Sequence, residues 1–224
     1  VVGAFGDKTQ GSNAGAAYVF SKINGIWQQT KKLLPSDGAP RDSFGSSVAI
    51  SGHRVVVGAY FKDSAEDPGG DSGAAYVFEY DPQDQSWAES KLVALDPNGG
   101  ANFGHSVVVD EDTIVIGASG DTADTGAAYI FERRDNQWRQ LVKLTSHDRE
   151  PNDKFGASVA LDGDRIVVGA PADSHRGPRH GSAYVFKNNN AVWTQTSRLV
   201  AGDGEPNQAF ASSVAISGPR VVVG

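Results

Sequence analysis

Residues 44–59 read Phe44-Gly45-Ser46-Ser47-Val48-Ala49-Ile50-Ser51-Gly52-His53-Arg54-Val55-Val56-Val57-Gly58-Ala59. The first half alternates apolar and polar residues, as a half-buried strand does. The second half is a continuous β-branched run, which suits a strand covered on both faces. Between them, Gly52-His53 is a two-residue hairpin with Gly at its first central position, the residue a type II′ turn requires. Downstream, Gly73-Ala74-Ala75-Tyr76-Val77-Phe78 reads as a third strand, and the stretch from Trp87 to Lys91-Leu92 as a fourth. We call these strands A to D. No segment carries a sustained helical period, so the sequence predicts an all-β chain.

The same unit recurs along the chain. Tyr-(Val/Ile)-Phe stands at 18–20, 76–78, 129–131 and 184–186, in steps of 58, 53 and 55 residues. Each copy is followed by a Trp (27, 87, 138, 193), by a basic-Leu pair (Lys32-Leu33, Lys91-Leu92, Lys143-Leu144, Arg198-Leu199) and by a Phe (44, 103, 155, 210). The strand-B glycine recurs at Gly3, Gly58, Gly117, Gly169 and Gly224. A four-stranded unit repeating about every 55 residues predicts the antiparallel blades of a β-propeller, since solenoid repeats are shorter. The expected blades are 44–95, 103–146, 155–201, and 1–34 joined by 210–224, in a single region 1–224. Strand B appears at both termini, however. That is compatible with a four-bladed ring holding one redundant strand, or with a window on a longer array, and the second is the expectation. Val1, inside an apolar run and in place of Met, points to a processed chain or a piece of one.

Composition narrows the function classes. The 224 residues hold 20 Lys and Arg against 27 Asp and Glu, for a net charge of −7, so no basic footprint for nucleic acid is expected. With no Cys there are no disulfides, no Cys-ligated zinc and no thiol nucleophile. Apolar runs reach four or five residues, too few to span a membrane.

Phe44-Gly45 followed by Gly58-Ala59-Tyr60, Phe103-Gly104 by Gly117-Ala118-Ser119, and Phe155-Gly156 by Gly169-Ala170-Pro171 resemble the FG-GAP repeats of integrin α-subunit propellers. The longer pattern is similar to FG-GAP-like repeats of microbial and algal surface proteins. The last copy departs, with Phe210-Ala211 for Phe-Gly. The resemblance implies a propeller, usually seven-bladed, that lies outside the cell or on its surface and binds ligands or partner proteins without catalysis. It therefore implies an adhesion or assembly module that contacts a protein or a glycan, self-assembles, or serves as a subunit of a larger complex. The alternative is an accessory domain of a larger extracellular enzyme such as a hydrolase. Integrin-type calcium loops are not carried over. The A–B connection is a two-residue hairpin, acidic only at Asp110-Glu111-Asp112 and Asp162-Gly163-Asp164, and calcium wants six to eight oxygens. No cofactor is expected.

The loops between strands B and C (5–14, 60–72, 119–125, 171–180) vary in length while the D–A connections and the A–B spans do not, so binding is expected on their face. Its candidates are an aromatic patch of Phe5, Tyr60 and Phe61 and a basic spot of His175, Arg176 and Arg179. The one acidic loop, Asp63, Glu66, Asp67 and Asp71, is the candidate metal site, although its spacing matches no calcium motif. Two further series of carboxylates fall on this face: Asp37, Asp96, Asp148 and Asp203 after strand D, and Asp7, Asp63, Asp121 and Asp173 after strand B. They either bind a cation between neighbouring loops or cap their own turns. Ser47, Ser106, Ser158 and Ser213 lie on strand A, away from the strand-to-helix elbow of a hydrolase nucleophile.

Overall fold

The β-branched strand-B runs are shared between two cores. In the computed structural model, which describes residues 1–63, 70–175, 177–190 and 192–224, Val55 and Val57 pack with Ala17, Val19 and Leu33 of the preceding repeat, while Val56 faces Ile114, Ile116 and Phe131 of the next. The alternation recurs one repeat on, where Ile114 and Ile116 face back and Val115 faces forward to Ile166 and Val168. A strand with apolar partners on both sides needs side chains that fill a pleated, fully dry surface, which is why Val and Ile run uninterrupted there.

Seventeen strands carry this stacking among the described residues. The first sheet is β1 (Val2–Ala4), β2 (Ala16–Ile23) and β3 (Ile26–Leu33). Three four-stranded antiparallel sheets follow, each in sequence order A to D. They are β4 (Ser47–Ser51), β5 (Arg54–Ala59), β6 (Ala74–Asp81) and β7 (Ser86–Leu92); β8 (Phe103–Asp110), β9 (Thr113–Ala118), β10 (Ala127–Arg134) and β11 (Gln137–Leu144); and β12 (Ser158–Asp162), β13 (Arg165–Ala170), β14 (Ser182–Asn189) and β15 (Val192–Leu199). The chain is all-β, with the four-stranded blades of a β-propeller. At the end, β16 (Val214–Ser217) and β17 (Arg220–Val223) pair with each other. Residues 1–34 and 210–224 thus stand in separate sheets, because β1 and β17 are both copies of strand B and β1 holds the place beside β2.

The Phe-Gly turn locks one blade to the next. Phe44, Phe103 and Phe155 are buried against the Tyr and Phe of their own strand C, as in the edge-on pairs Phe103–Tyr129 (5.3 Å) and Phe103–Phe131 (6.0 Å). The glycine that follows has φ near +90°, and a Cβ on Gly104 would run into the Ala74 carbonyl of the blade before. Its own carbonyl accepts a hydrogen bond from the strand-A serine one blade back: Ser47 Oγ to Gly104 (2.7 Å), Ser106 Oγ to Gly156 (2.8 Å), Ser158 Oγ to Ala211 (2.9 Å). The strand-A serines therefore tie blades together. Ala211, the departure from Phe-Gly, keeps the left-handed backbone at φ 73°.

Strand-D tryptophans reach back over the preceding blade. Trp138 joins the core between the second and third sheets and lies under the Arg54 guanidinium at 5.6 Å. Trp27 departs from this role and is exposed.

Candidate functional site

Loops after strands B and D meet on one face, and their carboxylates organise it. In the third blade the Tyr129 hydroxyl donates to Asp121 (2.6 Å), and Lys143 reaches both Asp121 and Asp96 (2.7 Å each). In the fourth, Tyr184 donates to Asp173 (2.6 Å) while Arg198 reaches Asp173 (3.0 Å) and Asp148 (2.9 Å). In the first, Tyr18 and Lys32 both reach Asp7 at 2.9 Å. The cation held between neighbouring loops is thus the chain's own strand-D Lys or Arg. Turn capping operates as well: the Thr9 amide donates to Asp7 Oδ1 (2.8 Å), the oxygen that Tyr18 and Lys32 leave free, and the His175 amide donates to Asp173 Oδ1 (2.9 Å), which it shares with Arg198.

The electrostatics follow from these contacts. Hydrogen bonds from Thr9 and Lys32 hold the Asp7 carboxyl well below the usual range. Burial pushes Asp121 and Asp173 up, but donors from Lys143 and Thr122, and from Tyr184 and the His175 amide, more than reverse it. Burial and the adjacent carboxylates drive the hydroxyls of Tyr76, Tyr129 and Tyr184 far above their ordinary value. Every one of these groups is fixed in charge at neutral pH, as a structural network requires.

The second blade breaks the series. Asp63 does not take the position of Asp7, Asp121 and Asp173; Lys62 does, four residues after the strand-B glycine, with its carbonyl accepting from Gly73 as that of Asp7 accepts from Gly15. Lys62 is buried and pairs with the buried Asp42 at 2.9 Å. Tyr76 and Lys91 turn instead to Asp37, at 2.6 and 2.7 Å.

The aromatic patch is only partly assembled. Tyr60 and Phe61 lie together, with centroids 4.1 Å apart, and Phe61 is 38% exposed. Phe5 occupies the strand-B exit equivalent to Tyr60 one blade earlier and is 60% exposed, but no ring contact joins it to the pair. The ring beside Tyr60 is His105, at 5.7 Å, which follows the Phe-Gly of the next blade. Sequence reading missed it because the contact crosses a blade boundary. His175 and Arg179 are exposed on one loop, and Arg176 lies outside the described residues.

Asp71 and Asp63 approach each other, the Asp71 amide donating to the Asp63 carboxylate at 3.4 Å, and burial together with the Asp63 charge raises Asp71 above its ordinary value. Glu66 and Asp67 lie outside the described residues. Among the described residues, no group of three or more His, Asp or Glu is gathered as a metal would require. None of their helices is long and apolar enough to cross a membrane.

A family model for the FG-GAP repeat matches residues 27–78, 87–131, 138–186 and 193–224. No curated protein matches the chain.

Proposed function

This chain belongs to the FG-GAP repeat family, and from that premise we propose that it is a non-catalytic binding module, working outside the cell, that contacts a protein or a glycan through the face of its B–C loops. The observation that carries the reading is a division of labour on that face. The repeated Tyr, Asp, Lys and Phe side chains are consumed in tying loops and blades together. What is left exposed differs from blade to blade: Phe61, packed on the half-buried Tyr60, with His105 beside them, Phe5, and the His175 and Arg179 loop. Exposed aromatic side chains are the residues that most often anchor an interface.

Binding of the labelled chain to a printed glycan array and to an array of purified extracellular proteins tests this. At least one saturable signal is expected, and it should fall tenfold or more when Tyr60 and Phe61 are both changed to Ser while the melting curve is kept. A signal indifferent to that change overturns the site. Silence on both arrays overturns the binding reading itself.

A further inference from the structure

Each boundary between blades carries an equivalent cleft, bounded by the end of one B–C loop and by the D–A connection that follows. Among the described residues, the chain fills two of the four. In the first, Gln10 enters and donates to the Pro35 carbonyl (2.9 Å), with its amide end lying over Gly38. In the last, the His180 ring packs on Gly204. The third, between the third and fourth blades, is lined by polar groups that include Thr125, Lys143 and Arg149.

The second cleft, between the second and third blades, is different. It is a cavity of about 260 Å³ whose floor is Phe103 and Tyr129 and whose walls include Val93, Pro97 and Ala101. Two small residues open it. Ser72 stands where the last boundary has His180, each directly before the strand-C glycine, and Ala101 stands where the flanking boundaries have Asp42 and Asp153, each two residues before the Phe. Ser72 is only 4% exposed, and its hydroxyl has no hydrogen-bond partner among the described residues. A buried, unpaired hydroxyl in a mainly apolar cavity is costly unless something completes it. Lys91 and Asp63, of opposite charge, are the ionised residues of the lining.

We infer that this cleft is a binding site for a small, neutral, mainly apolar ligand carrying one hydrogen-bonding group, which pairs with the Ser72 hydroxyl while the rest packs on Phe103 and Ala101. The volume lies just under the range of pockets for drug-sized ligands, so the ligand is of single-ring size. This inference is independent of the macromolecular contact proposed above.

The test is a methyl-resolved NMR titration with p-cresol and, as a partner lacking the hydroxyl, toluene. Saturable shifts of the Val93 and Ala101 methyls are expected, with p-cresol bound about fivefold more tightly than toluene. Ala101→Leu, which fills the cavity with an apolar side chain and brings no charge to Asp121, should weaken p-cresol at least tenfold, read on Val93. Ser72→Ala should erase the preference over toluene. Absence of p-cresol saturation up to about 20 mM, or p-cresol binding unchanged in Ala101→Leu, overturns the site, and a preference that survives Ser72→Ala overturns the role of its hydroxyl.

Discussion

Lys62 Nζ lies 2.9 Å from Asp42 Oδ2, with both side chains buried, so the second blade holds a cation where the others hold Asp7, Asp121 and Asp173. Two loop positions are coupled here, and the third blade shows the other solution: Asp121 with Ala101 at the place of Asp42. Changing Lys62→Asp restores the repeat pattern yet sets two carboxylates against each other in a buried place. We expect a loss of about 3–5 kcal/mol, the scale for an uncompensated buried charge. Adding Asp42→Ala should return at least half of it. Urea denaturation of the two single variants and the double variant gives the coupling, and simple additivity would contradict it.

Asp153 titrates near neutrality. Burial, with the charges of Asp173, Glu150 and Asp148 adding to it and the Glu150 amide opposing, pushes its carboxyl up to about 6. A carboxyl raised in the folded state costs stability wherever it must ionise. The penalty is absent below the unfolded value near 4, grows as pH rises, and is complete above about 6. Asp153→Asn keeps an acceptor for the Glu150 amide, now 2.6 Å away, and removes the charge. The variant should be more stable than the parent by about 2–3 kcal/mol at pH 8 and should match it near pH 4. Denaturation midpoints across that range decide it, and a pH-independent difference would refute the assignment.

The left-handed backbone after each blade-entry Phe predicts opposite effects for one pair of exchanges. Gly104→Ala adds a Cβ against the Ala74 carbonyl and should destabilise by about 1–3 kcal/mol. Ala211→Gly relieves a non-glycine residue at φ 73° and should stabilise by about 0.5–1 kcal/mol, the relief exceeding the added freedom of the unfolded chain. Thermal melts of both variants check the signs.

Ser106→Ala removes the hydrogen bond to the Gly156 carbonyl at the seam between the third and fourth blades. A cost of about 1–2 kcal/mol is expected, since the carbonyl loses a partner at a buried boundary. Hydrogen exchange should quicken at β12 and β13 more than at β5. Uniform quickening over the whole chain would argue against a local tie.

Strands, turns and blade order were legible in the sequence because repetition supplies its own alignment. The β-branched run 55–57 announces a doubly covered strand before any contact is known, and Gly52, like Gly163 and Gly218 at the same place in later A–B turns, takes the positive φ that a type II′ hairpin needs, as does Glu111, which stands there in the third blade without being glycine. The acidic network was half legible. Six of the eight carboxylates set on one face, Asp7, Asp37, Asp96, Asp121, Asp148 and Asp173, do meet strand-D cations there, but placing the second series loosely after strand B admitted Asp63 and hid Lys62, which a strict count of four residues from the glycine would have exposed. His105 and the cleft at Ala101 escaped notice because their neighbours come from another blade. Periodicity within a repeat carries no information about which side chains face each other across a seam.

Val55 and Val57 belong to one core and Val56 to the next, so the period of the sequence and the period of the dry interior are out of phase by half a blade. A single copy excised at its repeat boundaries would own two open halves of hydrophobic interior and no complete one. Two consecutive sheets are therefore the smallest segment with a closed interior, and a one-residue insertion within strand B would exchange the allegiance of every side chain beyond it.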